Sequence, residues 1–115
     1  MINWDRLNEL QTDIGEDGFA EVAELFIEEM SEMLGTLVRL PHTATADDFH
    51  FLRGSALNLG FVDVAQSCLE KEEAIKTGTL PDLSDLLEEF ETSVGELKKC
   101  GPSLSKGLRN VLAIG

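Results

Sequence analysis

Apolar residues recur at steps of three and four along nearly the whole chain, the spacing of amphipathic helices. Trp4, Leu7, Leu10 and Ile14 form the first series. It predicts a short helix ended by Gly15-Glu16-Asp17-Gly18, whose glycines suit a turn and whose acids suit the start of the next helix. Phe19, Val22, Phe26, Met30, Met33, Leu37 and Leu40 then continue the spacing, with Glu21, Glu24, Glu28 and Glu32 on the other side. This predicts a long second helix that Pro41 stops. Thr45-Ala46-Asp47-Asp48 resembles a cap, so a third helix should start near Asp47 and end at Gly60, which can take the left-handed conformation favoured at helix ends. A fourth helix is expected from Val62 to Lys76, ended by Thr77-Gly78-Thr79, with Val64, Ala65, Cys68, Leu69 and Ile75 facing inward. Pro81 suits a first helical turn, and Leu83, Leu86, Leu87, Phe90, Val94 and Leu97 mark a fifth helix that Gly101-Pro102 closes. Leu104, Leu108, Val111 and Leu112 suggest a last short helix. No strand pattern, repeat or linker interrupts the series.

The expected fold is therefore all-α. It is an antiparallel four-helix bundle, up-down-up-down, with the N-terminal helix as a cap and a short C-terminal accessory helix. A chain of 115 residues holds one core, so residues 1–115 form a single domain with the main bundle at about 19–100. A bundle that closes its own core is expected to be a monomer.

Composition narrows the function classes. Nine basic against 22 acidic residues leave a net charge of −13, which repels nucleic acid and anionic lipid and favours partners with a basic face. No apolar run approaches the roughly 20 residues that cross a bilayer, and the start, MINWDRLNEL, carries no basic stretch followed by an apolar one. A cytoplasmic protein is expected, with no nucleic-acid or membrane partner. Cys68 and Cys100 form no CxxC and read as ordinary thiols in a reducing compartment. Paired glutamates (Glu28-Glu29, Glu72-Glu73, Glu88-Glu89) could suggest a carboxylate metal site, but no Glu-x-x-His pair accompanies them, so no metal is expected.

Candidate chemistry concentrates between Asp48 and Phe61. At about 100° per residue, Phe49, Leu52, Ala56 and Leu59 fall on the core side, and His50 points away toward solvent. Arg53, Gly54 and Leu57 share the face of His50. Glycine inside a helix costs roughly 1 kcal/mol relative to alanine. Gly54 either leaves clearance one turn beyond the imidazole or permits a tight helix crossing. Arg53 can offset anionic charge held near the ring, and Leu57 is an exposed apolar neighbour that a partner would cover. An imidazole with an ordinary pKa of about 6.5 keeps a free lone pair near neutral pH. Imidazole, cation and clearance together fit transfer of a phosphoryl group. His42, in a Pro-His-Thr loop, has no such company and reads as solvated.

His50-Phe51-Leu52-Arg53-Gly54-Ser55-Ala56-Leu57-Asn58-Leu59-Gly60 resembles the signature of the histidine-containing phosphotransfer (HPt) domain family. That signature reads His, any residue, Leu, Lys or Arg, Gly, Ser, a small residue, two variable residues, an aliphatic and Gly. The family's bundle with its capping helix matches the expected order over most of the chain, the last dozen residues excepted. The resemblance implies that His50 accepts the phosphoryl group, Arg53 stands in the place of the usual Lys beside it, Gly54 gives access and Ser55 supports. Ala56 replaces a frequent second Ser. Docking is expected through the exposed faces of the second and third helices, with Phe51, Leu57 and Asn58 on the third. The partners would be response-regulator receiver domains and a hybrid histidine kinase in a multistep phosphorelay. The chain itself would need no cofactor, Mg²⁺ belonging to the receiver. With no glycine-rich nucleotide loop and no room for an ATP-binding domain, it resembles a phosphoryl carrier, not a kinase. The alternative is an HPt-like adaptor that binds a receiver or kinase without carrying phosphate.

Overall fold

The computed structural model describes residues 2–100. Within them lie α1 (Trp4–Arg39), a 3₁₀ turn (Pro41–Thr43), α2 (Ala46–Asn58), α3 (Val62–Lys76) and α4 (Ser84–Cys100). The expected C-terminal accessory helix and the Gly101-Pro102 stop lie outside the described residues.

The anticipated turn between the first two helices is compressed to one residue. Gly15, with φ 79° and ψ 163°, is non-helical, and α1 resumes at once beyond it. Absence of a Cβ makes that conformation accessible, so the chain kinks where a longer turn was expected. The limb before the kink rests on buried Leu7 and half-buried Leu10, while Trp4 and Ile14, counted on the same inner series, are largely exposed. Beyond the kink the buried stripe is Phe19, Ala23, Ile27, Met30, Leu34 and Leu37. It differs from the sequence expectation by about one position. Phe26 and Met33 pack along its flank, Val22 is half-buried, and Leu40, past the last turn, is exposed. Size misled here: the large Phe and Met side chains reach the core from the flank, and the smaller Ala23 and Ile27 form the centre.

Both caps of α2 match expectation. The Thr45 hydroxyl accepts from the Asp48 amide at 3.2 Å, and the Asp48 carboxylate accepts from the Thr45 amide at 2.9 Å, a reciprocal capping box. At the other end Gly60 has φ 71°, and the Phe61 amide donates back to the Ala56 carbonyl at 2.8 Å, the Schellman closure. Here the N-terminus crosses the α2–α3 turn. The Asn3 amide donates to the Gly60 carbonyl at 2.6 Å, Ile2 pairs with Phe61, and a Cβ at Gly60 would collide with the Asn3 carbonyl.

α3 buries Val64, Ala65 and Cys68 as expected, with Leu69 and Ile75 half-buried, and it also buries Ser67 and Glu72. α4 starts later than expected. Pro81 precedes the helix instead of entering its first turn, because the Asp82 carboxylate accepts from both the amide and the hydroxyl of Ser84 (3.0 and 2.8 Å) and sets the helix start there. Ser67 donates to Glu89 at 2.6 Å and Lys71 to Asp85 at 2.9 Å. The two ties run in opposite sequence order, so α3 and α4 lie antiparallel. Phe49, Phe61, Ile27, Met30, Leu34, Leu52 and Leu86 fill the middle of a helical bundle.

Candidate functional site

Three α2 side chains, Phe49, Leu52 and Ala56, are completely buried, as is Leu59 at the C-cap, and they fix the rotation of the helix. His50 is thereby turned outward, with 72% of its side chain exposed. Phe51 and Leu57 stay 42% and 47% exposed on the same outer face, and Gly54 is open: a Cβ there would meet nothing within 4 Å. Among the described residues no helix crosses at Gly54, which favours clearance toward solvent over a tight helix crossing. Arg53 is half-buried and forms no hydrogen bond or ion pair with any described residue. Ser55 points inward and is buried. Asn58 is half-buried, and its side-chain oxygen accepts from the Arg6 guanidinium at 2.8 Å, which ties the N-terminal limb to the helix carrying His50.

Two members of the site were not foreseen. Glu72 on α3, only 10% exposed along its side chain, places Oε1 3.7 Å from Nδ1 of His50, and Lys76, one turn on, places Nζ 3.4 Å from the same oxygen. The other oxygen of Glu72 is buried without a hydrogen-bond partner among the described residues. A signal for this contact was present. His50 and Glu72 are nearly equidistant from the Gly60 turn, and folding the α2–α3 hairpin on that glycine brings them level. In sequence Glu72 reads only as half of an acidic pair.

The geometry has direct chemical consequences. A carboxylate beside Nδ1 favours the tautomer that carries its proton there, leaving the Nε2 lone pair free on an exposed ring. Arg53 and Lys76 put two cations on the α3 side of the imidazole, in a chain whose charge is otherwise strongly negative. Beneath them Cys68 is sealed in the core. Burial pushes its thiol up to about 12, the nearby Glu89 carboxylate adding to the effect and Lys71 opposing it. Such a thiol has no thiolate to offer near neutral pH. Lys71 in turn holds the Asp85 carboxyl below its usual range through their hydrogen bond.

An Hpt domain family model matches residues 21–100, which spans α2 with its histidine, α3, α4 and most of α1. The chain belongs to the Hpt domain family. Hpt domains are phosphocarriers of two-component signalling that work by histidine phosphotransfer and interact with receiver domains and histidine kinases. No curated protein and no solved structure matches the chain at a significant level. No helix among the described residues is long and apolar enough to cross a membrane.

Proposed function

We propose that this Hpt domain carries phosphoryl groups on Nε2 of His50, between receiver-domain aspartates of a multistep phosphorelay. The observation that supports this most is the ring itself: largely exposed, backed by the Glu72 carboxylate at Nδ1, with Arg53, unpaired among the described residues, and an open Gly54 within one helical turn. In the forward step the Nε2 lone pair attacks phosphorus of an aspartyl phosphate, the N–P bond forms, and the acyl P–O bond breaks with its electrons leaving on the aspartate carboxylate. The ring gains positive character as the bond forms, and Glu72 stabilises it through the Nδ1 proton. Arg53 and Lys76 offset the charge of the phosphoryl oxygens, for which a planar guanidinium is well suited. The return step reverses these movements onto a second aspartate. Positioning and charge compensation are the main demands of such transfer, and the chain's own residues supply them.

Phe51 and Leu57 provide apolar contacts for the docked receiver. Asn58 acts beside them by holding the N-terminal limb against the docking helix through Arg6. The test is to incubate the purified chain and a His50→Gln variant with a phosphorylated receiver domain. Acid-labile, alkali-stable phosphate is expected on the native chain alone. Receivers that bind without labelling it would leave the protein an adaptor.

A further inference from the structure

α1 is two helical limbs that meet at one residue. Residues 4–14 and 16–39 are helical, and Gly15 between them, at φ 79° and ψ 163°, sits in a backbone region nearly closed to any residue with a Cβ. The bundle does not wedge the kink in place: a Cβ at Gly15 would meet no described atom within 4 Å. The short limb is held instead by its far end. The Asn3 amide donates to the Gly60 carbonyl, Ile2 pairs with Phe61, and the Arg6 guanidinium donates to the side-chain oxygen of Asn58. Ile2 and Leu7 are buried, while Trp4 and Ile14 are largely exposed. The α2–α3 turn thus presents two acceptors, the Gly60 carbonyl and the Asn58 oxygen, and the limb carries the matching donors three residues apart, at Asn3 and Arg6.

With Gly15 in ordinary helical geometry, α1 runs straight for its 36 residues, about 54 Å. The limb then projects past the bundle with Ile2 and Leu7 bare, and the Gly60 turn of its own chain stands uncovered. A second copy supplies the match for both. We propose that the limb is an exchangeable arm: in a pair of straightened chains, residues 2–14 of each copy cap the Gly60 turn of the other. No new surface is required, because every exchanged contact already exists within the kinked monomer, and exchange of an identical element is for that reason a low-cost route to a dimer. The monomer expected from sequence corresponds to the kinked form. The inference stands apart from the phosphotransfer reading: His50 lies about 15 Å along α2 from Gly60, and the dimer carries two such histidines away from the exchanged contacts.

The hinge sets the balance, and sedimentation equilibrium of the full chain measures it. In the kinked form the limb competes for its own turn at an effective concentration on the order of millimolar, so native dimer should appear only toward that concentration. Gly15→Ala favours the straight hinge twice over, by helix propensity and by the cost of the kinked conformation to a residue with a Cβ. At about tenfold or more per chain and two chains per dimer, it should tighten self-association by about a hundredfold or more. A Gly15→Ala chain that keeps its helical circular dichroism and stays monomeric would overturn the proposal. Mixing two variants with the native hinge tells exchange from any other dimer. Arg6→Asp spoils the limb of one chain, and Asn58→Arg sets two cations together in the other. Only in a mixed, exchanged pair does the Arg6→Asp limb meet the Asn58→Arg turn while the other limb meets a native Asn58. The mixture should therefore dimerise about tenfold or more tightly than either variant alone, as close interfacial charge pairs do. No gain on mixing would overturn the proposal even if Gly15→Ala is a dimer.

Discussion

Replacing Gly54 with alanine should make the protein more stable and a poorer phosphocarrier. The added methyl meets no atom of the described residues within 4 Å, so no clash with them opposes the gain in helix propensity, roughly 1 kcal/mol for Gly to Ala in a helix interior. For a domain of this size that is a rise of a few degrees, about 4–8 °C per kcal/mol, in the unfolding midpoint. The same methyl stands one turn from His50, about 6 Å between Cβ positions at that spacing, on the face where the receiver must bring its phosphoryl group. Crowding a close-packed contact by a methyl or more costs about 1–3 kcal/mol, and each 1.4 kcal/mol is tenfold in rate. Receiver-driven labelling should therefore slow about tenfold in Gly54→Ala and further in Gly54→Leu. Thermal melts followed by circular dichroism, with initial transfer rates on the same preparations, measure both quantities. A destabilised Gly54→Ala would show that the position is not open. Gly54→Leu transferring at the native rate would refute the clearance argument.

Gly60→Ala should act in the opposite way. A left-handed φ costs a residue with a Cβ about 1–2 kcal/mol and the collision with Asn3 breaks a backbone hydrogen bond worth about 1 kcal/mol, so urea unfolding should show a loss of about 2 kcal/mol or more; a change under about 0.5 kcal/mol would contradict the strap. Glu72→Gln removes the charge beside Nδ1 and should slow phosphoramidate labelling of His50 about tenfold with no loss of stability, because one carboxylate oxygen is already buried unpartnered; an unchanged rate would make Glu72 merely structural. In a Cys100→Ser background, Cys68 should react with a thiol reagent at pH 8 about a thousandfold more slowly in the native than in the denatured chain, as its displacement from 9.0 to about 12 implies. The same group should lower stability as pH rises from about 9 toward 12, since only the unfolded thiol ionises in that window; a flat stability profile there would contradict its burial.

What could be read from sequence divides along physical lines. Local signals were reliable: the Thr45–Asp48 box, the Gly60 closure and the outward rotation of His50 each depend on a few neighbouring residues, and the structure reproduces all three. The kink at Gly15, the offset of the α1 stripe and the late start of α4 went astray. Each depends on how a helix is seated against others or on a competing side-chain cap, which periodicity does not encode. The same limit explains the site. His50, Arg53 and Gly54 share one helix face and were visible together, whereas Glu72 reaches His50 across a hairpin and Lys76 stands beside Glu72.

A carrier role requires that His50 both take and give a phosphoryl group. The most direct measurement loads the native chain from one phosphorylated receiver, isolates it, and mixes it with a second, unphosphorylated receiver while following the label. Label should be confined to His50 after loading, be absent in His50→Gln, and pass to the second receiver's aspartate as the native chain is discharged. Label retained in His50→Gln, or a native chain that binds receivers from a broad panel yet never acquires label, would contradict it.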